Sequence, residues 1–214
     1  MSEAVRSQEH GEVQITAQGM GFRNRNSAAD GKSAGLDFEY GITRRLQFAM
    51  ELPYGIQSTA TSELPAGWSA IGASILYQLI RSNHPFALSA ALGANLPLNA
   101  RAETGIEPEL LAAKQFGTTQ IHASLIPEIS KSDKSLAYNV AAVRPFAYYL
   151  RPTLEFSGRC NGGVNSFYVT PGSYIHLPHR LEIGAGVPVG AGSRSSPVGI
   201  VVKMTWEFGG DDND

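Results

Sequence analysis

The sequence predicts an all-β protein, an up-and-down antiparallel transmembrane β-barrel of about ten strands. Large apolar side chains alternate with small or polar ones along most of the chain. Most of the alternating segments are long, and short connections between them alternate with longer ones. Strands of soluble proteins average about 5–6 residues, whereas strands that cross a membrane need about 9–11. Segment length therefore favours a membrane barrel.

The clearest strand is the last one, because all six positions on one of its faces are large and apolar. A helix would scatter these side chains around its axis, whereas a strand places every second residue on the same face. The six residues are Val198, Ile200, Val202, Met204, Trp206 and Phe208.

The same alternation predicts the other strands. It is clear over residues 36–42, 46–54 and 181–189, and weaker elsewhere. The weaker segments are 13–17, 71–79, 86–96, 121–129, 136–150 and 167–177.

The connections are sorted by length in the way that an up-and-down barrel sorts them. Short polar turns are predicted at 43–45, 81–84, 130–135 and 178–180, and longer connections at 23–33, 57–67, 99–114, 151–165 and 190–196. Within the third long connection, Pro108 precedes good helix formers at 109–114. This order predicts either a short helix or a continuation of the sixth strand.

The composition excludes several classes of protein. Of 214 residues, 43% are apolar and 17% are charged, and the net charge is −2. A disordered chain would have less apolar surface, and a nucleic-acid-binding protein would have a basic run. Cys160 is the single cysteine, so neither an internal disulfide nor a Cys-rich zinc site is expected. No motif for a metal or another cofactor is present, and none is expected.

The apolar face is predicted to meet lipid. The opposite face is rich in glycine and alanine, which suit a narrow lumen better than a water-facing exterior. Aromatic residues such as Tyr40, Tyr54 and Trp206 lie toward strand ends, as in the aromatic girdles of membrane barrels. A soluble binding barrel of the lipocalin type is the alternative for the fold.

Three segments resemble bacterial outer-membrane barrels, in the transporter family linked to the meta-pathway of phenol degradation. They are YGITRRLQFAMELPYGI at 40–56, LAAKQFGTTQIHASL at 111–125 and the alternating segment that ends at Phe208. The resemblance implies export, insertion from the periplasm by the barrel-assembly machinery, and passage of small hydrophobic or aromatic solutes. The C-terminal aromatic matches Phe208, but GGDDND follows it here. No signal peptide opens the chain, and the leader is expected to have been cleaved or omitted.

An acidic patch is predicted in the lumen. With a turn centred at Arg44, Asp37 faces Glu51 and Glu39 faces Ala49 on the polar side of two strands. This patch predicts a cation preference, a proton-sensitive constriction, or a solvated mouth without a role. Near the C-terminus, Lys203 is predicted opposite Gly184, where it would pair with Glu182. The full set of lumen-facing residues predicted for a pore or constriction is Asp37, Glu39, Glu51, His122, Glu128, Glu182, Lys203 and Glu207.

One strand face carries His122, Ser124 and Glu128. This arrangement is compatible with an esterase, in which His122 would activate Ser124. The same parity turns them toward the lumen and away from a lipid substrate. Catalysis is therefore not expected, and a barrel lipid hydrolase remains only an alternative.

The sequence thus predicts an outer-membrane barrel over residues 11–208, with a periplasmic segment at 1–10 and an acidic tail at 209–214. Its predicted task is passive passage of small solutes, and the alternative is a closed structural or loop-binding barrel. The expected partners are outer-membrane lipid, lipopolysaccharide, the barrel-assembly machinery and small solutes, with no nucleic acid.

Overall fold

The computed structural model describes residues 7–23, 31–56, 67–80, 86–98, 103–131, 134–192, 195 and 197–210. Their regular secondary structure consists of fourteen strands. These are β1 (Val13–Arg23), β2 (Gly31–Thr43), β3 (Leu46–Ile56), β4 (Gly67–Trp68), β5 (Ala70–Ile80), β6 (Phe86–Pro97), β7 (Gly105–Phe116), β8 (Thr119–Ile129), β9 (Lys134–Val143), β10 (Leu150–Asn161), β11 (Val164–Leu177), β12 (Leu181–Gly186), β13 (Val189–Gly190) and β14 (Val198–Phe208). Across these described ranges, no helix is long and apolar enough to cross a membrane.

The sheet closes into a barrel. Each long strand pairs antiparallel with the next one along the chain, and β1 pairs with β14 from Val13–Phe208 to Arg23–Val198. The short strands β4 and β13 pair with β3 and β11, and contain two residues each. The predicted up-and-down antiparallel barrel is confirmed. The count of about ten strands is wrong, because twelve longer strands form the wall, with two short ones in addition.

The sequence pattern did not predict β7 and β10, because both lie largely within segments that were predicted to be long connections. Residues 99–114 include most of β7, and residues 151–165 include most of β10. Of the two alternatives for residues 109–114, the helix is therefore wrong; these residues are in a strand, but a turn at 117–118 separates it from the next one. The predicted strand over 136–150 ends at Val143, after which the chain turns back into β10. The alternation in β7 is weak because Leu111 and Ala113 are apolar residues of the inner side.

The barrel has two distinguishable ends. We call the end where β1 begins and β14 finishes the proximal end, and the opposite one the distal end. The turns at 44–45, 117–118 and 178–180 are proximal. The predicted short turn at 130–135 is distal, since one missed strand, β7, precedes it and shifts the parity. The predicted turn at 81–84 lies outside the described residues.

The outer face is apolar, as predicted. The large side chains of β14 alternate outward, and Ile200 and Trp206 are 62% and 46% exposed. Outward aromatic pairs lie toward both ends: Trp206–Phe208 is proximal, and Tyr54–Trp68 is distal, each with ring centroids 5.1 Å apart. The eleven residues of β14 span about 36 Å along the strand, or about 27 Å at the tilt usual in membrane barrels. This height matches the hydrophobic band of such barrels, which is about 25 Å tall.

The inner side of the proximal half is filled with side chains. Thr16, Ser89 and Leu111 are almost completely buried, and Leu76, Ala87, Leu111 and Ala113 form an apolar cluster there. The hydroxyls of Thr16 and Thr205, on neighbouring strands, lie 3.1 Å apart. In the distal half, inward side chains such as Gln18 and Met20 are exposed. The lumen is therefore open at its distal end and narrow toward its proximal end.

Candidate functional site in the barrel lumen

The eight residues singled out from the sequence all lie at inner positions of the barrel wall. Strand registers place each of them opposite another inner residue, while their chain neighbours belong to the apolar outer face. They do not form one cluster. They are distributed among three groups, which lie along β2–β3, along β8–β10, and along β11, β12 and β14.

The first group has the predicted register. Asp37 lies opposite Glu51, and Glu39 lies opposite Ala49. Like charges that face each other across strands are unfavourable unless water or other groups relieve them. The amide of Gln18 donates to Asp37 at 3.2 Å, which provides part of this relief.

Glu39 differs from its acidic neighbours because three glutamines surround it. Its Oε2 accepts from the side-chain amides of Gln8 at 3.1 Å and Gln47 at 2.7 Å, and its Oε1 accepts from Gln14 at 3.2 Å. The three glutamines are themselves buried. We call these four residues the glutamine clamp. It ties Glu39, which also lines the lumen, into the proximal wall.

The clamp holds the segment that precedes β1. The backbone N–H of Gln8 donates to Oε1 of Gln47 at 2.8 Å, and Gln8 Nε2 also donates to Gln14. Further along, the N–H of Gly11 donates to the carbonyl of Gly41, and the N–H of Gly41 donates to the carbonyl of Glu12, both at 2.9 Å. Residues 7–12 therefore lie along β2 at the proximal mouth.

Gly41 is required for this approach. A Cβ at Gly41 would lie 1.8 Å from the carbonyl oxygen of Glu9, which is far inside contact distance. The oxygen belongs to the backbone, so it could not turn aside as a flexible side chain would. The glycine of the segment YGITRR thus allows residues 7–12 to pack against the wall.

Asp37 and Glu51 line a recess at the base of the open distal half. This central recess has a volume of about 120 Å³, and Glu109 and Lys203 also line it. Carboxylates from β2, β3 and β7 therefore face a lysine from β14 across a small water-accessible space. The wall that carries Glu109 was not predicted, because β7 was missed.

Lys203 lies opposite Gly184, as predicted. Its charge acts on Glu182, as the predicted pair requires. The 2.8 Å contact of Glu182 is with His176, between Nε2 and Oε2. His176 and Glu182 lie directly opposite each other on β11 and β12. The alternation along each strand does not reveal this contact, because it depends on the register between β11 and β12.

Glu128 is paired at the distal end. Its two carboxylate oxygens each lie 2.6 Å from a guanidinium nitrogen of Arg159, and the Ser135 hydroxyl donates to it at 2.7 Å. Arg159 belongs to β10, the second missed strand. The signal that could have revealed it is the alternation of Glu155, Ser157 and Arg159 along one face.

Ser124 and His122 lie at different levels of the same inner face. Ser124 is opposite Asn139, whereas His122 is one step closer to the proximal end, between Ala113 and Ala141. Glu207 is the most proximal of the eight residues and lies opposite Gln14. No group of three or more metal-ligating side chains occurs within the described ranges.

Counted along the described strands, inner carboxylates outnumber inner cations. The carboxylates are Asp37, Glu39, Glu51, Glu107, Glu109, Glu128, Glu155, Glu182 and Glu207, and the cations are Arg151, Arg159 and Lys203. Several of these groups are paired locally, but the total remains negative. Field lines focus inside a narrow low-dielectric wall, so such an excess concentrates cations and repels anions.

Comparisons with solved structures place the barrel among outer-membrane channels in fold. The chain is similar to the COG4313 outer membrane channel from Pseudomonas putida F1, with a TM-score of 0.73, 10% identity, and coverage of 97% of this chain and 99% of that chain. It is also similar to the KdgM porin (TM-score 0.67, 10% identity, 92% and 99% coverage) and the NanC porin (0.65, 6%, 89% and 97%). KdgM has also been solved in complex with disordered oligogalacturonate. No protein-family model and no curated protein matches the sequence.

Proposed function

We propose that this protein is a barrel of the bacterial outer membrane through which small solutes pass passively. The exposed apolar outer face with aromatic pairs toward both ends supports the membrane location, and the fold is that of known outer-membrane channels. We propose that the proximal end of the barrel faces the periplasm, with residues 1–10 and the tail at 209–214 on that side. Lipid and lipopolysaccharide contact the outer face, and the barrel-assembly machinery inserts the chain.

The passage is narrow and prefers cations. The observation that supports this most is the excess of inner carboxylates over inner cations among the described strands. A solute entering from the distal side reaches the central recess, where Asp37, Glu51 and Glu109 lie around Lys203. Below this level the proximal half is filled, which limits passage to small ions and molecules. A hydrophobic or aromatic solute, as the family resemblance implies, would have to cross this polar section.

Ion selectivity in planar bilayers tests the proposal. A KCl gradient across a bilayer containing the purified full chain should give a reversal potential of the sign expected for K⁺ permeation. The double variant Asp37→Asn, Glu51→Gln should move this potential toward zero, because it removes two charges from the recess. Glu103→Gln is the matched control, since Glu103 lies in a distal connection outside the strands, and it should leave the potential unchanged. An anion-selective wild type would contradict the cation preference.

A closed barrel without a pore is the second candidate, and the filled proximal half favours it. The same bilayers distinguish the two, with the wild type compared to a chain that lacks residues 1–12. Measurable conductance in the wild type supports a channel. Heat-modifiable gel migration verifies that both proteins are folded. Absence of conductance in both then supports the closed barrel.

Catalysis is not proposed. Ser124 and His122 occupy the inner wall, where a membrane lipid does not reach them. Loss of a lipid deacylase activity on Ser124→Ala would contradict this conclusion, and it would replace the channel with a lipid hydrolase.

A further inference from the structure

A second recess lies on the distal half of the wall, away from the acidic groups of β2 and β3. Its volume is about 320 Å³, and polar side chains of β8 to β11 line it: Ser124, Asn139, Ser157, Arg159, Ser166 and Tyr168. This distal recess falls at the lower limit of the size of small-molecule sites, which is about 300–1,000 Å³.

The lining follows the strand register closely. Ser124, Asn139, Ser157 and Tyr168 are direct cross-strand neighbours, one on each of four adjacent strands. Neighbouring strands lie about 4.8 Å apart, so the row presents a hydrogen-bonding group at every step over about 14 Å. The next row toward the distal end contains Arg159 and Ser166, with Ile126 and Ala137 as its apolar part.

The charge of the distal recess is locally balanced. Arg159 lines it, but both terminal nitrogens of the guanidinium contact Glu128 at 2.6 Å. Such a two-point pair fixes the side chains and offsets their charges. The recess therefore attracts a ligand mainly through hydrogen bonds and contact area.

An aromatic surface borders the recess. The rings of Tyr168 and Phe22 lie 5.4 Å apart at 49°. The ring of Phe22 lies next to Gly199, where a Cβ would come within 2.6 Å of its Cδ1. Gly199 therefore makes room for the ring, and Phe22 in turn supports Tyr168 at the edge of the recess.

We propose that the distal recess binds an uncharged sugar ring. The hydroxyls of Ser124, Ser157 and Ser166 and the amide of Asn139 can donate or accept, and the hydroxyls of a sugar can take the place of water on these groups. A ligand with a single polar group would strip this water without replacing its hydrogen bonds, which lowers affinity. The apolar face of a sugar ring packs on Tyr168. A polyanionic sugar is disfavoured by the carboxylates of the lumen.

This subsite rests on the proposed function only in that the solute reaches the lumen from the distal side. Binding in the recess does not require an open pore. Direct binding measurements therefore separate a failure of the subsite from a failure of the channel.

Saturation-transfer NMR on the folded full chain in detergent tests the subsite, with glucose and maltose as probes and with trigalacturonate and phenol as comparisons. Glucose and maltose should receive saturation from the protein, and trigalacturonate should receive much less. Tyr168→Ala should weaken maltose binding by about tenfold, as expected when an aromatic contact is lost. Tyr148→Ala is the matched control, because Tyr148 is fully exposed in the proximal β9–β10 connection, and it should bind maltose like the wild type.

A second variant, Asn139→Ala with Ser157→Ala, keeps the aromatic ring and removes two hydrogen-bonding groups. It should also weaken maltose binding, and heat-modifiable gel migration verifies its folding. The subsite is overturned if maltose binding survives both variants unchanged, or if phenol or trigalacturonate binds more strongly than maltose. Conductance without sugar binding would leave the channel standing and remove the subsite. Sugar binding without conductance would support the subsite and contradict the channel.

Discussion

At the scale of single residues, the polar groups of the lumen have separate tasks although they look alike in sequence. Asp37, Glu39 and Glu51 all line the central recess, yet Glu39 is in addition enclosed by three glutamines. The difference comes from Gln8, which approaches from outside the strands. Local spacing cannot predict a partner that is distant in the chain.

The tightest contact of residues 7–12 is at Gly41, which gives a residue-scale prediction. Gly41→Ala should displace these residues, because the new Cβ would overlap the backbone oxygen of Glu9. The amide of Gly11, which donates to the Gly41 carbonyl, should then exchange its hydrogen about tenfold faster, as expected for the loss of one hydrogen bond. Hydrogen exchange with peptide-level mass spectrometry measures this.

Gly19→Ala is the control for that experiment, because a Cβ at Gly19 would meet nothing within 4 Å. It should leave the exchange of residues 7–12 unchanged. Equal exchange in Gly41→Ala and the wild type would mean that residues 7–12 are not held against β2.

At the scale of elements, the strands that the sequence predicted well are those with uniform outer faces. In β14 every outer position is large and apolar, so the period of two is unmistakable. The alternation in β7 is less regular. Leu111 and Ala113 are apolar but pack inside the proximal half, and Lys114 lies on the outer side. In β10, Arg151 and Pro152 blur the pattern at the start of the strand. The carboxylates Glu107 and Glu109 were missed for the same reason.

The assignment of β7 as a strand rather than a helix gives an element-scale prediction. Single cysteines at 106–111, in a Cys160→Ser background, should react with a water-soluble thiol reagent in alternation. Positions 107 and 109 face the lumen and should react, whereas positions 106, 108 and 110 face lipid and should not. Leu111, which is inward but almost completely buried, should react slowly. A period of 3.6 residues in the labelling of reconstituted protein would indicate a helix and contradict the assignment.

At the scale of the whole molecule, the barrel has the reverse arrangement of a soluble one, with its large apolar side chains on the outside. The sequence was sufficient for the fold class, the orientation of the faces and the Asp37–Glu51 register. It was insufficient for the strand count, the glutamine clamp and the distal recess. The strand count failed because the alternation in β7 and β10 is irregular. The glutamine clamp and the distal recess arise from contacts among several strands and the residues before β1, and such contacts leave no periodic signal in the chain.

The most direct measurement of the orientation uses the only two tryptophans, Trp68 and Trp206. Both lie on the outer face, toward opposite ends, and each is 46% exposed. In vesicles of brominated lipid the fluorescence of both should be quenched, and Trp68→Phe and Trp206→Phe resolve the two signals. Aqueous acrylamide should quench them weakly. Insensitivity of both tryptophans to brominated lipid, together with strong quenching by acrylamide, would contradict a lipid-facing apolar surface.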